Sequence, residues 1–260
     1  MWKKELLVAM QAAQEAGSAI LKIYEDPETL QVDWKADHSP LTSADREANH
    51  IIVQQLHNAF PTYAIHSEEE KDYKARLSNE YCFVVDPLDG TKEFIKRNGQ
   101  FTVNIALAYR QESVMGVIYV PVTGDLYYAA KGYGAYLRSA DGKVARLHVS
   151  DCKEKRALRV VKSNSHDCAE MEDLIARHHL EHCMRMGSSL KGCLVASGKA
   201  ELYYRYNPTM EWDTAAMQCI VEEAGGVFRQ MDDSPMRYNR ENSLNDKGFY
   251  AINCMENRLR

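Results

Sequence analysis

An α/β fold of two packed subdomains, residues 1–155 and 156–260, is what this 260-residue sequence predicts. Three observations carry that expectation. Two stretches of helical periodicity open the chain, and a series of short β-like runs with Gly- or Asp-containing turns follows them. Beyond about residue 155, strand and helix patterns take turns, the signature of a sheet covered by helices.

Each element has its own reason. Trp2, Leu6, Met10, Ala13, Gly17, Ile20 and Tyr24 recur at helical spacing, so residues 2–24 read as an amphipathic helix. In "SADREANHIIVQQLHNAF", Ala48, Ile51, Ile52, Leu56 and Phe60 form a second helical stripe that Pro61 stops. Thr42 or Ser43 caps that helix, which puts Asp45 in its first turn. The runs "YAIH", "YCFVV", "FTVNIALAY", "VMGVIYV", "DLYYAA" and "GAYLR" then predict a largely antiparallel sheet, with "ADGKV" as a hairpin turn. In the second half "ALRVVKS", "CMRMG", "AELYYR" and "GFYAIN" read as strands. "CAEMEDLIARHH", "SLKGCLVASG" and "WDTAAMQCIVEEAGG" read as helices between them, giving a parallel or mixed sheet and a cleft between the subdomains.

Composition narrows the function. With 45% apolar and 27% charged residues and a net charge of −5, the chain has no broad cationic footprint for a nucleic-acid polymer. A small anionic ligand remains compatible, because local cations or bound metals override the global sign. The N-terminal segment lacks the unbroken apolar core of a signal peptide, and no run approaches the roughly 18 residues of a transmembrane span. Seven scattered cysteines without a C-x-x-C pair suit free thiols in a reducing cytoplasm.

Five acids stand out: Asp45, Glu68, Asp86, Asp89 and Asp213. Glu68, Asp86, Asp89 and Asp213 are expected at strand ends or helix starts, where binding groups of α/β folds collect. Oxygen-only ligands of this kind suit Mg²⁺, and two such ions roughly 3.5–4 Å apart can activate water and clamp a phosphoryl group. In "DPLDGTKEF", Gly90 lets backbone approach a ligand, and Thr91 opens a helix whose free N–H groups can hold phosphate. Taken singly, each feature also has an ordinary reading. Asp86–Pro87–Leu88–Asp89–Gly90 is turn chemistry, Asp45 and Asp213 complement helix dipoles, and "EEE" at 68–70 is a solvated face. Spacing alone does not bring these segments together.

Taken together, "SPLTSAD", "HSEEE", "DPLDGTKEF" and "EWDTAAMQCIVEEAGG" occur in the order found in the inositol monophosphatase superfamily of metal-dependent, lithium-sensitive phosphatases, which this chain resembles over essentially its whole length. "DPLDGTKEFIKRNGQFTVNIAL", with Lys92 and Glu93 in place of a common Thr-Asn, is most similar to the 3′(2′),5′-bisphosphate nucleotidase branch. "SNSH", "GSSLK" and "YRYNPTMEWD" point the same way. The resemblance implies a layered αβαβα sandwich and removal of the 3′-phosphate from adenosine 3′,5′-bisphosphate, with the related phosphosulfate nucleotide as a further substrate. It implies two or three Mg²⁺, replaceable by Mn²⁺. Glu68, Asp86 and the Leu88 carbonyl would bind the first metal, while Asp86, Asp89 and Asp213 would bind the second. Asp45 would act through water at a third. Thr91, hydrogen-bonded toward Asp45 or Glu68, would orient the attacking water, making these three the catalytic set.

The N–H groups of Gly90 and Thr91 would hold the scissile phosphate. His166, Ser188, Ser189, Lys191, Arg205 and Asp213 would meet the nucleotide, Lys191 and Arg205 supplying cations for its second phosphate. Lys35 is a candidate contact to a metal-bound water, and Trp212 reads as packing beside Asp213. The implied state is a monomer or homodimer in the cytoplasm, with peripheral attachment at the inner membrane face a trait of some relatives. Two other readings compete: an inositol or sugar monophosphatase with the same metals, and a non-catalytic module that senses nucleotide or metal. A cationic second-phosphate site discriminates against the first, and the complete set of acids with Thr91 against the second.

Overall fold

In the computed structural model, residues 2–26, 31–34, 40–165 and 168–260 are described. Helix α1 (Lys3–Glu25) buries Leu6, Ala9, Met10, Ala13, Ala16, Gly17 and Ile20 along one stripe, matching the expected periodicity. A short hairpin of β1 (Val32–Trp34) and β2 (Pro40–Thr42) leads into α2 (Ser43–Ala59). Thr42 proves to be the cap of α2. Its hydroxyl oxygen accepts from the N–H groups of Ala44 and Asp45 at 3.2 and 3.4 Å, and the Asp45 carboxylate accepts the Thr42 N–H at 2.7 Å. That reciprocal box satisfies N–H groups a helix start would otherwise leave open.

A seven-stranded sheet follows, from β3 (Ala64–Ser67), β4 (Tyr81–Asp89), β5 (Thr102–Tyr109), β6 (Glu112–Val120), β7 (Asp125–Ala130), β8 (Gly134–Arg138) and β9 (Val144–Arg146) in sequential order. Only β3 and β4 pair in parallel; every other neighbour is antiparallel. The five-residue helix α3 (Thr91–Ile95) interrupts the series between β4 and β5. The strand that reads as "YCFVV" does not stop at Val85. It runs on to Asp89 through a register shift, with Asp86 opposite Asn104 and Asp89 opposite Thr102.

The second half supplies β10 (Arg159–Ser163), α4 (Ala169–Arg177), β11 (His182–Met186), α5 (Leu190–Ala196), β12 (Leu202–Arg205), β13 (Thr209–Met210), α6 (Glu211–Glu223), β14 (Val227–Gln230), β15 (Leu244–Asn245) and β16 (Phe249–Ile252). Five of these strands form a mixed sheet in the order β11-β10-β12-β16-β14, parallel on one side and antiparallel on the other. The sequence reading leaves β14 unassigned, because "VFRQ" directly after Gly225–Gly226 is too short to show a period. It becomes a strand only by pairing with β16.

Strand alternation sorts the apolar residues into layers. Phe83, Val85, Val103, Ile105 and Leu107 pack with α1 and α2. Their neighbours Cys82, Val84, Ala106 and Ala108 face the opposite way, into a core shared with α5, α6 and residues Val161, Tyr203 and Phe249 of the second sheet. On the far side of that sheet, Val160, Leu202, Tyr204 and Ile252 pack with Met171 and Leu174 of α4. The result is the αβαβα sandwich. Because both sheets are covered on both faces, their strands read as apolar runs rather than as alternations. Gly116 lets α6 lie close on β6: a Cβ there would stand 2.4 Å from the Ala216 carbonyl oxygen.

Candidate active site

The alternation that sorts the core also aims the acids. Asp86 continues the Cys82–Val84 face of β4 toward the middle layer, where α6 lies. Asp213 occupies the first turn of α6, and its Oδ2 accepts the Met210 N–H at 2.8 Å. Past the register shift comes Asp89. Ligand atoms of Asp86, Asp89 and Asp213 all lie within 4.8 Å of one another. Glu68 follows β3 directly, its N–H donating to the Val85 carbonyl at 3.1 Å, so it enters the same cleft beside Asp86.

Gly90 turns the chain at φ 95°, a left-handed conformation that favours glycine, and an added Cβ would lie 3.1 Å from the Gln100 carbonyl oxygen. α3 then starts at Thr91. The Thr91 hydroxyl donates to Asp45 Oδ1 at 3.2 Å and lies 3.4 Å from the Leu88 carbonyl oxygen. Of the two acids expected to hold Thr91, Asp45 is the one that does. Asp45 itself lies outside the three-carboxylate cluster.

Like charges in a buried space explain the electrostatics. Burial first, then Glu68, Asp89 and Asp213, push the Asp86 carboxyl well above the ordinary range. Asp213 is raised to about 7 by burial and then by Asp89. The donor set fits a hard divalent cation. It is oxygen-only, and each clustered carboxylate has one oxygen held by protein: Asp86 by the Leu88 N–H, Asp213 by the Met210 N–H, Asp89 by Ser189 and Asn104. Among the described residues, the other oxygen of each has no protein donor, which suits a metal ligand.

The same cleft also carries cations. Lys191, 5% exposed, donates from Nζ to the Ser188 carbonyl at 2.5 Å and sits 5.4 Å from the centre of the Tyr203 ring. Burial lowers its pKa to about 8, against the pull of Asp89. Arg205, from β12, lines the same cleft. Among the described residues, Arg205 Nε and the Ser188 hydroxyl are buried side-chain polar atoms with no hydrogen-bond partner. Unpartnered buried donors are costly in a protein interior, and both face a cavity of about 290 Å³ that Glu68, Asp86, Asp89 and Asp213 also line.

Most residues expected at the site therefore converge on one cleft: Glu68, Asp86, Leu88, Asp89, Gly90, Thr91, Ser188, Ser189, Lys191, Arg205 and Asp213. Ser189 is placed differently from a free nucleotide contact, since its N–H and hydroxyl both donate to Asp89 Oδ2, at 2.7 and 2.6 Å. Trp212 packs its ring edge-on against His66, with centroids 5.2 Å apart. His166 and Lys35 lie outside the described residues. Sequence reasoning missed Asn104, whose only signal is a lone amide within the apolar run "FTVNIALAY". It also missed Tyr203, and from "SNSH" it singled out His166 but not Ser163, which lines the cleft from the second sheet with Tyr203.

Comparison with known proteins places the chain in a family. A model of the inositol monophosphatase family matches residues 2–254. The chain is 39% identical over 240 residues to the 3′(2′),5′-bisphosphate nucleotidase CysQ of Escherichia coli K12, covering 92% of this chain and 96% of that one. It is 37% identical over 255 residues to the CysQ of Buchnera aphidicola, covering 96% and 94%. The crystal structure of CysQ from Bacteroides thetaiotaomicron superimposes with a TM-score of 0.85 at 43% identity, covering 97% of this chain and 98% of that one.

Proposed function

The chain belongs to the inositol monophosphatase family, and from that premise we propose that it is a 3′(2′),5′-bisphosphate nucleotidase. It removes the 3′-phosphate of adenosine 3′,5′-bisphosphate to leave AMP and inorganic phosphate, and it acts on the phosphosulfate nucleotide in the same way. The observation that carries this reading is the presence of both charge types in one cleft. A three-carboxylate cluster faces the same cleft as a buried lysine and an arginine whose Nε has no partner among the described residues. The carboxylates suit metals over the scissile phosphate, and the cations suit a second phosphate that an inositol monophosphate lacks.

Two Mg²⁺ fit the donor set. Glu68, Asp86 and the Leu88 carbonyl would hold one, Asp86, Asp89 and Asp213 the other, and Asp45 would contribute through water at a weaker third position. When bound, Mg²⁺ neutralises phosphoryl charge and makes water acidic enough to attack at neutral pH. Thr91 gives its hydroxyl proton to a hydrogen bond with Asp45 Oδ1, which leaves its oxygen to accept from the attacking water and orient it. The N–H groups of Gly90 and Thr91 hold the scissile phosphate. Lys191, Arg205 and the Ser188 hydroxyl take the second phosphate. A reducing cytoplasm is the matching compartment, with all seven cysteines free. Among the described residues, no helix is long and apolar enough to cross a membrane.

Turnover of adenosine 3′,5′-bisphosphate and inositol 1-phosphate, measured side by side with saturating Mg²⁺, tests the proposal. The bisphosphate should have the higher kcat/KM. A preference for the inositol ester would overturn the specificity and leave only the phosphatase class.

A further inference from the structure

We propose that Asn104 is a positioning residue for the metal site, acting through Asp89; this rests on the metal-dependent reading above. Asn104 is 1% exposed in the middle of β5. Strand alternation turns it to the same face as Ala106 and Ala108, toward α5 and the cleft. Its Nδ2 donates to Asp89 Oδ2 at 3.1 Å and to the Ser189 hydroxyl at 2.9 Å. Which way the amide points is set by Thr102, whose hydroxyl donates to Asn104 Oδ1 at 2.9 Å. Ser189 in turn donates its hydroxyl and N–H to Asp89 Oδ2.

All these donors point one way, from Thr102 through Asn104 and Ser189 to a single carboxylate oxygen. Such a chain strengthens each of its bonds by polarisation. Asp89 Oδ2 thus receives three hydrogen bonds, and Asp89 Oδ1 receives none among the described residues. The arrangement answers a local need. Asp89 stands beyond the β4 register shift, where three steps along β4 are matched by two along β5, so regular strand geometry does not orient its side chain. Three donors from β5 and the start of α5 do so instead. They hold one oxygen and present the other to the cluster, as outer-shell partners do for metal-ligating carboxylates. An aspartate at position 104 would set acceptor against acceptor, so the role requires an amide.

Isothermal titration of Mg²⁺ into the metal-free full chain tests this, comparing the wild type with Asn104→Ala, Thr102→Val and Asp89→Ala, each with its metal-free melting temperature. Asn104→Ala should weaken Mg²⁺ binding about tenfold to a hundredfold. Thr102→Val, which keeps the side-chain shape but frees the Asn104 amide to rotate, should weaken it less and in the same direction. At saturating Mg²⁺, the KM for nucleotide should stay within about twofold of wild type in both variants. If Asp89→Ala loses Mg²⁺ while Asn104→Ala and Thr102→Val bind it like the wild type, the positioning role is wrong. If Asp89→Ala itself binds Mg²⁺ normally, the metal reading falls first. Should Asn104→Ala fail to fold, the near-isosteric Thr102→Val decides alone.

Discussion

Glu211 and Asp213 stand two residues apart in the first turn of α6, and both are drawn into the protein, yet their surroundings differ in kind. Glu211 is fully buried and fully answered. Its carboxylate accepts from the N–H groups of Asn239 and Arg240, at 2.7 and 3.0 Å, and from Arg240 Nε at 3.0 Å. Asn239 continues outward to Arg76 Nη1 at 2.8 Å, tying the 72–79 segment to the start of the helix. Asp213 has one backbone donor and two carboxylate neighbours. Burial raises the pKa of each; only Asp213 is raised further by like charges. A buried acid therefore does not mark a site. An acid whose nearest charged neighbours share its sign does, because its ionised form needs a cation among them, and without one it takes up a proton instead.

The sharpest way to break this comparison is to neutralise one member of each environment. Asp89→Asn should reduce Mg²⁺-dependent phosphate release to background while the melting temperature of the metal-free protein holds or rises, because a repulsive charge is gone. Undiminished release would end the two-metal assignment. Glu211→Gln should do the reverse, costing about 3 kcal/mol of stability, with kcat of the folded protein unchanged: it removes the charge opposite Arg240 and turns an amide NH2 toward donors that one Glu211 oxygen now satisfies. Urea denaturation alongside an assay at low temperature would separate these effects. A loss of kcat without a loss of stability would move Glu211 into the catalytic machinery.

The cations of the cleft extend the comparison to substrates. Lys191→Met should raise the KM for adenosine 3′,5′-bisphosphate by about tenfold to a hundredfold and leave hydrolysis of a simple monophosphate ester nearly unchanged. Equal losses on both would place Lys191 on the scissile phosphate instead.

A smaller effect follows from pH. A carboxyl whose folded pKa lies above its unfolded value favours folding below the unfolded pKa and loses that contribution as pH rises through the folded one. For Asp213 this window runs from 3.8 to about 7. Protons and Mg²⁺ compete for the cluster, so the rise in melting temperature produced by Mg²⁺ should be larger at pH 8 than at pH 6. Equal shifts at the two pH values would contradict the repulsive cluster.

What was legible in the sequence was local. The α1 stripe, the Thr42–Asp45 cap and the Gly90 turn depend on residues a few positions apart, and each is found where the periodicity and turn chemistry place it. The strand expected to end before Asp86 instead continued through a register shift, since pairing with β5 outweighs the turn tendency of Pro87 and Gly90. Nothing in "VFRQ" announced β14, whose partner strand lies about twenty residues later. The acids were legible as a set only through their resemblance to family motifs.

By itself, the sequence determined the helices, their caps, the apolar strands and the residue types at each turn, because those follow from short-range sterics and the burial of one face. Tertiary structure decided which acids meet. Asp213 reaches Asp86 and Asp89 because small residues such as Ala106, Ala108 and Gly116 let the middle helices settle closely on the first sheet. It also decided that Lys191 is buried beside an aromatic ring rather than solvated at a rim, and that Asn104 and Ser189 converge on one oxygen of Asp89. These outcomes depend on packing between segments far apart in the chain, and no local pattern encodes the distance at which they come together.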